Sequence, residues 1–242
     1  MKIIINLIRR NLYLYIVFIN IYKKFIFCFA FIEKKNYLFL KSKKIKNVLD
    51  IGSNNFQISK IILSINKQIK IICFDANIFL KKKKHKNILF YNFGLSSTNK
   101  QTYLHIPFYK GYMLDSLSSV KKSFITSYLD QHNINKNKIE IKSIPLEFSK
   151  LDNKQYNFQF VKIDVEGSEL DILKGAKSNL IRNNPIILVE KNLEFTDISK
   201  LLSSMNYKTY AYNYKINEFT HKIDIDEKNI FFLNKNSFKY LE

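Results

Sequence analysis

Residues 47–65 read NVLDIGSNNFQISKIILSI. The burst Asn47–Ile51 is mostly apolar and is closed by Gly52, the signature of a buried strand in a parallel sheet. Behind it Phe56, Ile58, Ile61, Ile62 and Ile65 recur at helical spacing. A strand, a glycine turn and an amphipathic helix form the opening unit of an alternating α/β fold.

The same rhythm continues outward. Ile69–Phe74 (IKIICF) reads as a second strand, Asn87–Phe93 (NILFYNF) as a third and Phe158–Ile163 (FQFVKI) as a fourth. A helix is predicted over about 167–181, a fifth strand at Pro185–Val189 and a helix at 196–205. Tyr207–Tyr212 and Asn229–Leu233 read as a closing pair of strands. This alternation predicts a mostly parallel, seven-stranded sheet with helices on both faces. Ligands in such sheets bind at the carboxyl ends of strands, near the switch in strand order. The segment at 105–140 is irregular and is where an acceptor pocket is expected.

Two strand tips carry the first chemical signal. Gly52 after Asp50-Ile51 lets the backbone approach a ligand, ahead of a helix start with free amide groups. The second strand ends at Asp75, 25 residues after Asp50, where an acid is suited to accept hydrogen bonds from the ribose hydroxyls of a nucleoside cofactor. There is no GxGxxG loop and no GKS/T element, which argues against a dinucleotide and a P-loop. The second signal is KIDVEGSELDILKGA at 162–176. Lys162, Asp164 and Glu166 cluster where a buried strand meets a turn, a costly place for charge unless the groups are paired or used. Lys162 and Asp164 share one side of the strand, so an ion pair between them is an open alternative to a catalytic role. Glu169 and Asp171 fall in a first helical turn, where their charge suits the helix dipole.

With VLDIGSNN at 48–55, CFDA at 73–76, FYNFGLSS at 90–97 and PIILVE at 185–190, in this order and spacing, the chain resembles the FkbM family of methyltransferases over roughly 46–235. The resemblance implies a Rossmann-like class I methyltransferase fold and S-adenosyl-L-methionine as cofactor. It implies that Asp50, Gly52 and Asn54 lie in the cofactor loop, that Asp75 holds the ribose and that Asn92 to Gly94 approach the adenine. Asp164 and Glu166 would face the methyl-transfer site. Asp164 is the first choice for orienting the acceptor or taking its proton, Glu166 and Lys162 are second choices, and Glu190 is a candidate for binding acceptor hydroxyls. Family enzymes are mostly O-methyltransferases of sugars, glycans or polyketide-like natural products, so a small-molecule or glycan hydroxyl is the expected acceptor. One departure is Phe56, which stands where the family usually has a second glycine; its ring is expected to narrow the cofactor pocket.

The chain has 242 residues, room for one sizeable domain (46–242) and an N-terminal extension (1–45). Its 40 Lys and Arg against 20 acids give a net charge of +20. That balance suits a polyanionic partner, but Lys, Asn, Ile, Phe and Tyr are all abundant and Trp is absent, the mark of a codon bias that raises Lys everywhere. Nucleic acid is not the expected partner, and the Lys81–Lys84 run, without interleaved aromatic residues, reads as a solvated face. Cys28 and Cys73 lie in apolar runs and read as core packing, no structural metal is expected, two carboxylates at Asp164 and Glu166 do not by themselves show a divalent one, and the default compartment is a reducing cytoplasm. In the extension, apolar runs at 3–8, 12–21 and 25–32 are cut by Arg9-Arg10 and Lys23-Lys24, too short to span a bilayer. They suit either amphipathic helices capping the sheet or peripheral contact with an anionic inner membrane face. Two rival functions stay open: a non-catalytic or membrane-associated Rossmann-like binding domain, and an RNA methyltransferase built loosely on Lys162, Asp164, Glu190 and Lys191.

Overall fold

The computed structural model describes residues 33–80, 85–224 and 227–242. The readings made for Cys28, for the apolar runs up to residue 32 and for Lys81–Lys84 lie outside these residues. No helix among the described residues is long and apolar enough to cross a membrane.

The main sheet is built from β1 (Asn47–Ile51), β2 (Lys70–Phe74), β3 (Ile88–Tyr91), β8 (Phe160–Ile163), β9 (Ile186–Glu190), β10 (Lys208–Asn213), β11 (Glu218–Thr220) and β12 (Asn229–Leu233). Their spatial order is β11-β10-β12-β9-β8-β1-β2-β3. The five strands from β9 to β3 pair in parallel, whereas β12, β10 and β11 are antiparallel to their neighbours. From β1 the chain winds outward to β3, then crosses to β8 on the other flank of β1. That reversal is the topological switch point, and it is where a doubly wound sheet opens a ligand crevice. The predicted seven strands are all present; β11, a short eighth, pairs with β10 alone among the described strands, as the return of a hairpin.

Strand alternation sorts the apolar side chains onto two faces. Leu49, Ile51, Val161, Ile163, Ile187 and Val189 meet the helices α3 (Glu169–Lys174), α4 (Lys177–Asn183) and α5 (Phe195–Ser203) on one face. Val48, Phe160, Ile186, Leu188 and Phe231 meet α1 (Gln57–Ile65) and a 3-10 segment at Lys35–Lys41 on the other. Tyr37, Phe39 and Leu40 of that segment are buried, with Phe39 edge-on to Phe160, Tyr212, Phe219 and Phe231. The last part of the expected extension is therefore packed into the sheet's own core.

Two local readings are corrected. The single helix expected over 167–181 is two, α3 and α4. Asp152 accepts from the backbone N–H of Ser178 and Asn179 and so caps α4, while the Gly175 carbonyl is taken by the Asp152 N–H. Gly175 also lies against the Ser96 carbonyl, leaving no room for a side chain. The second correction concerns the irregular middle. It holds a separate sheet, β4 (Gly94–Leu95), β7 (Ile139–Ser149), β5 (Lys100–Tyr109) and β6 (Tyr112–Met113), in that order, with α2 (Lys122–Gln131) between β6 and β7. β5 and β7 run antiparallel from Lys100↔Phe148 to Tyr109↔Ile139.

Candidate active site

A cavity of about 300 Å³ opens at the carboxyl ends of β1, β2 and β8. Gly52, Ser53 and Asn54 form one wall, Asp75, Ala76 and Asn77 a second, and Asp164, Val165 and Glu166 a third; Phe74, Phe93 and Leu95 supply apolar surface. Gly52 has φ 78, and a Cβ there would fall 1.8 Å from the Asp164 carbonyl oxygen. The close approach of the two strand tips therefore requires glycine.

Asp75 organises the second wall. Its carboxylate accepts from the Asn54 N–H at 2.7 Å and from the Asn77 N–H at 2.9 Å. The first bond joins the tips of β1 and β2 directly. Asn54 Oδ1 is buried and has no partner among the described residues, a polar atom that a bound ligand would satisfy. Asn92 does not line the cavity; from the rim its Nδ2 donates to the carbonyls of Asp75 and Asn77 and clamps that loop. Its neighbours Phe93 and Gly94 do line it. Phe56 adopts φ 59, a left-handed conformation unusual for a bulky residue. Its ring packs edge-on to Phe90 in the core and does not line the cavity. The expected narrowing of the pocket by that ring is thus corrected: the ring points into the core beside α1.

Asp50 also lies away from the cavity wall. It is fully buried on the α1 face, beside its register partner Lys162 on β8. Ser59 of α1 donates to Asp50 Oδ2, and Lys162 Nζ lies 3.9 Å from Asp50 Oδ1 and 3.0 Å from Asp164 Oδ2. Burial alone would lower the Lys162 ammonium's pKa, but Asp164 and Asp50 outweigh it and hold the group charged. Lys162 thus ties a buried acid under β1 to the half-buried acid at the end of β8.

Beyond Asp164 the chain makes a sharp turn with Glu166 at φ 56. Glu169 is buried and holds this turn: its carboxylate accepts from Val165 and Gly167 N–H and from Asn192 Nδ2. Glu169 and Asp171 do stand in the first turn of α3, as expected, and Glu169 is in addition a buried staple of the site. Asp171, read the same way, accepts from Ser97 and pairs with Lys100 at 3.1 Å. The turn brings together oxygens of Asp164, Glu166 and Glu190, all within 4.8 Å of one another. Burial pushes the Glu166 carboxyl up to about 8, with Asp164, Glu190 and Glu169 adding and Lys162 opposing. Burial likewise raises Glu190, reinforced by Asp164 and opposed by Lys228. These oxygens are near enough to meet one cation; Lys162 already supplies a positive charge beside Asp164.

Sequence reasoning did not single out Asn77 or Glu33, which line the cavity; Ser118–Val120, also on its wall, falls inside the 105–140 segment expected to build a pocket, though no residue of it was named. Asn77, two residues beyond Asp75 and buried, carried a faint signal; Glu33 and the residues of the loop carried none of their own, because the N-terminal segment and the second sheet bring them in from a distance.

The profile of the Methyltransferase FkbM domain matches residues 50–212. The chain belongs to the FkbM methyltransferase family. A search of curated proteins returns no significant match. Among solved structures, the FkbM chain is similar to the methyltransferase FkbM from Methylobacillus flagellatus KT, at 12% identity and TM-score 0.48, over 78% of this chain and 44% of that one. It thus spans under half the length of that protein. It is also similar to a precorrin-6y C5,15-methyltransferase from Geobacter metallireducens GS-15, at 11% identity and TM-score 0.35, over 82% of this chain and 83% of that one. A SAM-dependent methyltransferase from Aquifex aeolicus follows at 8% identity and TM-score 0.30, over 79% and 81%.

Membership of the FkbM family brings S-adenosylmethionine as the cofactor. The cavity fits it: a carboxylate at the second strand tip, a loop that only glycine permits, an unpartnered buried amide oxygen and apolar rings stand together at the switch point.

Proposed function

We propose that this FkbM domain transfers the methyl group of S-adenosylmethionine to a hydroxyl of a small-molecule or glycan acceptor, with residues 46–242 as the catalytic domain. The observation that carries the reading is the set of carboxylates of Asp164, Glu166 and Glu190 within 4.8 Å of one another at the strand tips. When bound, the cofactor supplies an electrophilic methyl group. Asp75, Asn54 and the Gly52 backbone are the groups that would hold it.

The remaining chemistry belongs to the chain's own side chains. Asp164, paired with Lys162 at 3.0 Å, accepts a hydrogen bond from the acceptor hydroxyl and orients its oxygen for in-line attack. Glu166 takes the proton, because burial and the neighbouring acids raise its carboxyl and so strengthen it as a base. A carboxylate is a weak base for an alcohol, so the proton leaves as the new O–C bond forms, with positioning as the larger contribution. Glu190 binds a neighbouring hydroxyl. Glu169 and Ser119, which donates to the Glu166 carbonyl at 2.9 Å, keep the turn from relaxing. The apolar-basic sequence of residues 1–32, ahead of the segment packed on the sheet, suits peripheral contact with an anionic inner membrane face.

Transfer of labelled methyl from S-adenosylmethionine to sugar nucleotides, glycans and lipid-linked sugars tests this reading. The expected product is an O-methyl ether, formed by wild type and at least about 10²-fold more slowly by Glu166→Gln. Label found on nitrogen or carbon, or unchanged turnover in Glu166→Gln, would contradict it.

A further inference from the structure

A second cavity of about 380 Å³ lies beside the first, and the two share Leu95, Val120, Phe148 and Ser168 as wall residues. Its own walls add Lys100, Lys121 and Lys174. We propose that this second cavity binds an anionic group, phosphate or carboxylate, carried by the hydroxyl acceptor; the assignment of that group to the acceptor rests on the methyl-transfer reading above.

The charges decide the sign of the ligand. Lys100 is committed to Asp171 and Lys121 to Glu194. Although burial alone would raise Asp171, its bonds from Ser97 and Lys100 hold its carboxyl below the ordinary value, so Asp171 stays ionised beside Lys100. Lys174 has no ion pair among the described residues, and three ammonium groups against two carboxylates leave one positive charge. Two further atoms point to a ligand. Ser168 is 7% exposed and its hydroxyl has no partner among the described residues, on the wall common to both cavities. The second oxygen of Glu194 is likewise buried without a partner among the described residues. A ligand with an anionic head and a hydroxyl would answer Lys174, Ser168 and Glu194 together.

The spacing suits a single small acceptor. Ser168 is two residues from Glu166, so their Cα atoms are at most about 7.6 Å apart, within the reach of one sugar ring and its substituents. The loop after β6 joins the two cavities: the Ser119 hydroxyl donates to the Glu166 carbonyl and accepts from the Lys121 N–H. An acceptor with its anion among the lysines presents a hydroxyl to Glu166. The reversed pose would set its anion against Asp164, Glu166 and Glu190 and is excluded by repulsion.

The test uses the full chain and needs no acceptor or turnover. Inorganic phosphate and acetate are titrated separately into wild type, Lys174→Ala, Lys121→Ala and Lys208→Ala, with binding followed by protein NMR. Lys208 is exposed on β10 and serves as the control. Saturable binding is expected for one or both ions, weakened about tenfold or more in Lys174→Ala and Lys121→Ala and unchanged in Lys208→Ala. The ion that binds in this lysine-dependent way names the group. Binding that does not saturate, or that survives in Lys174→Ala, or that falls equally in Lys208→Ala, would overturn the proposal. S-adenosylhomocysteine is titrated into the same proteins. Its failure to bind wild type while phosphate or acetate binds would remove the methyl-transfer reading and leave the anion site standing.

Discussion

Asp50 and Lys162 are register partners on adjacent parallel strands, and Lys162 Nζ lies 3.9 Å from Asp50 Oδ1 on a face closed to water. The lysine is the only cation that the ion pairs give to this buried carboxylate among the described residues. Lys162→Met should therefore destabilise the domain by about 3–5 kcal/mol, the usual cost of stranding one member of a buried pair. Adding Asp50→Asn should recover most of that loss. Urea unfolding of the single and double variants checks both; a single variant within about 1 kcal/mol of wild type would show that the pair carries no such weight.

Glu166 predicts a pH dependence with a definite sign. Its carboxyl is raised from 4.5 to about 8, so kcat/KM should climb with pH along a limb near 8, as the proton acceptor becomes ionised. Folding stability runs the other way. The native state holds this proton more tightly than the unfolded chain, so the group's contribution is full below 4.5 and is lost as pH rises through about 8. Glu166→Gln should remove the activity limb and flatten that fall in stability. A wild-type profile flat between pH 6 and 9 would contradict the assignment.

Phe56 supports a prediction in which stability and binding part company. Phe56→Gly loses a buried ring, about 3–5 kcal/mol, and regains about 1 kcal/mol at its left-handed backbone position. The net loss should be about 2–4 kcal/mol by denaturation, with S-adenosylhomocysteine affinity close to wild type because the ring does not line the cavity. A tenfold gain in affinity would restore the pocket-narrowing reading.

The fold was legible wherever strands are buried on both faces. Val48–Ile51, Ile71–Phe74 and Ile186–Val189 are near-continuous apolar runs, which is what a parallel sheet between two helical layers demands. The second sheet was not. Its long strands carry polar residues and prolines at Pro107 and Pro145, which read against a strand. The alternation of β7 also slips phase at Ser143, so no single period marks it. In the site, Gly52 and Asp75 were legible because strand-tip chemistry is local. Glu169 was not, since its burial depends on Asn192, 23 residues away. Asp50 was read as part of the loop, but strand alternation turns it to the face opposite Leu49 and Ile51, beneath the cavity.

The tips of β1 and β2, joined by the Asn54 to Asp75 bond, are the proposed nucleoside half of an S-adenosylmethionine site. Titration calorimetry of S-adenosylhomocysteine into wild type and Asp75→Ala tests it most directly. Saturable one-to-one binding to wild type is predicted, weakened at least about tenfold in Asp75→Ala, as loss of a charged hydrogen-bond acceptor requires. Equal affinity in the two proteins, or no binding to wild type, would contradict the account.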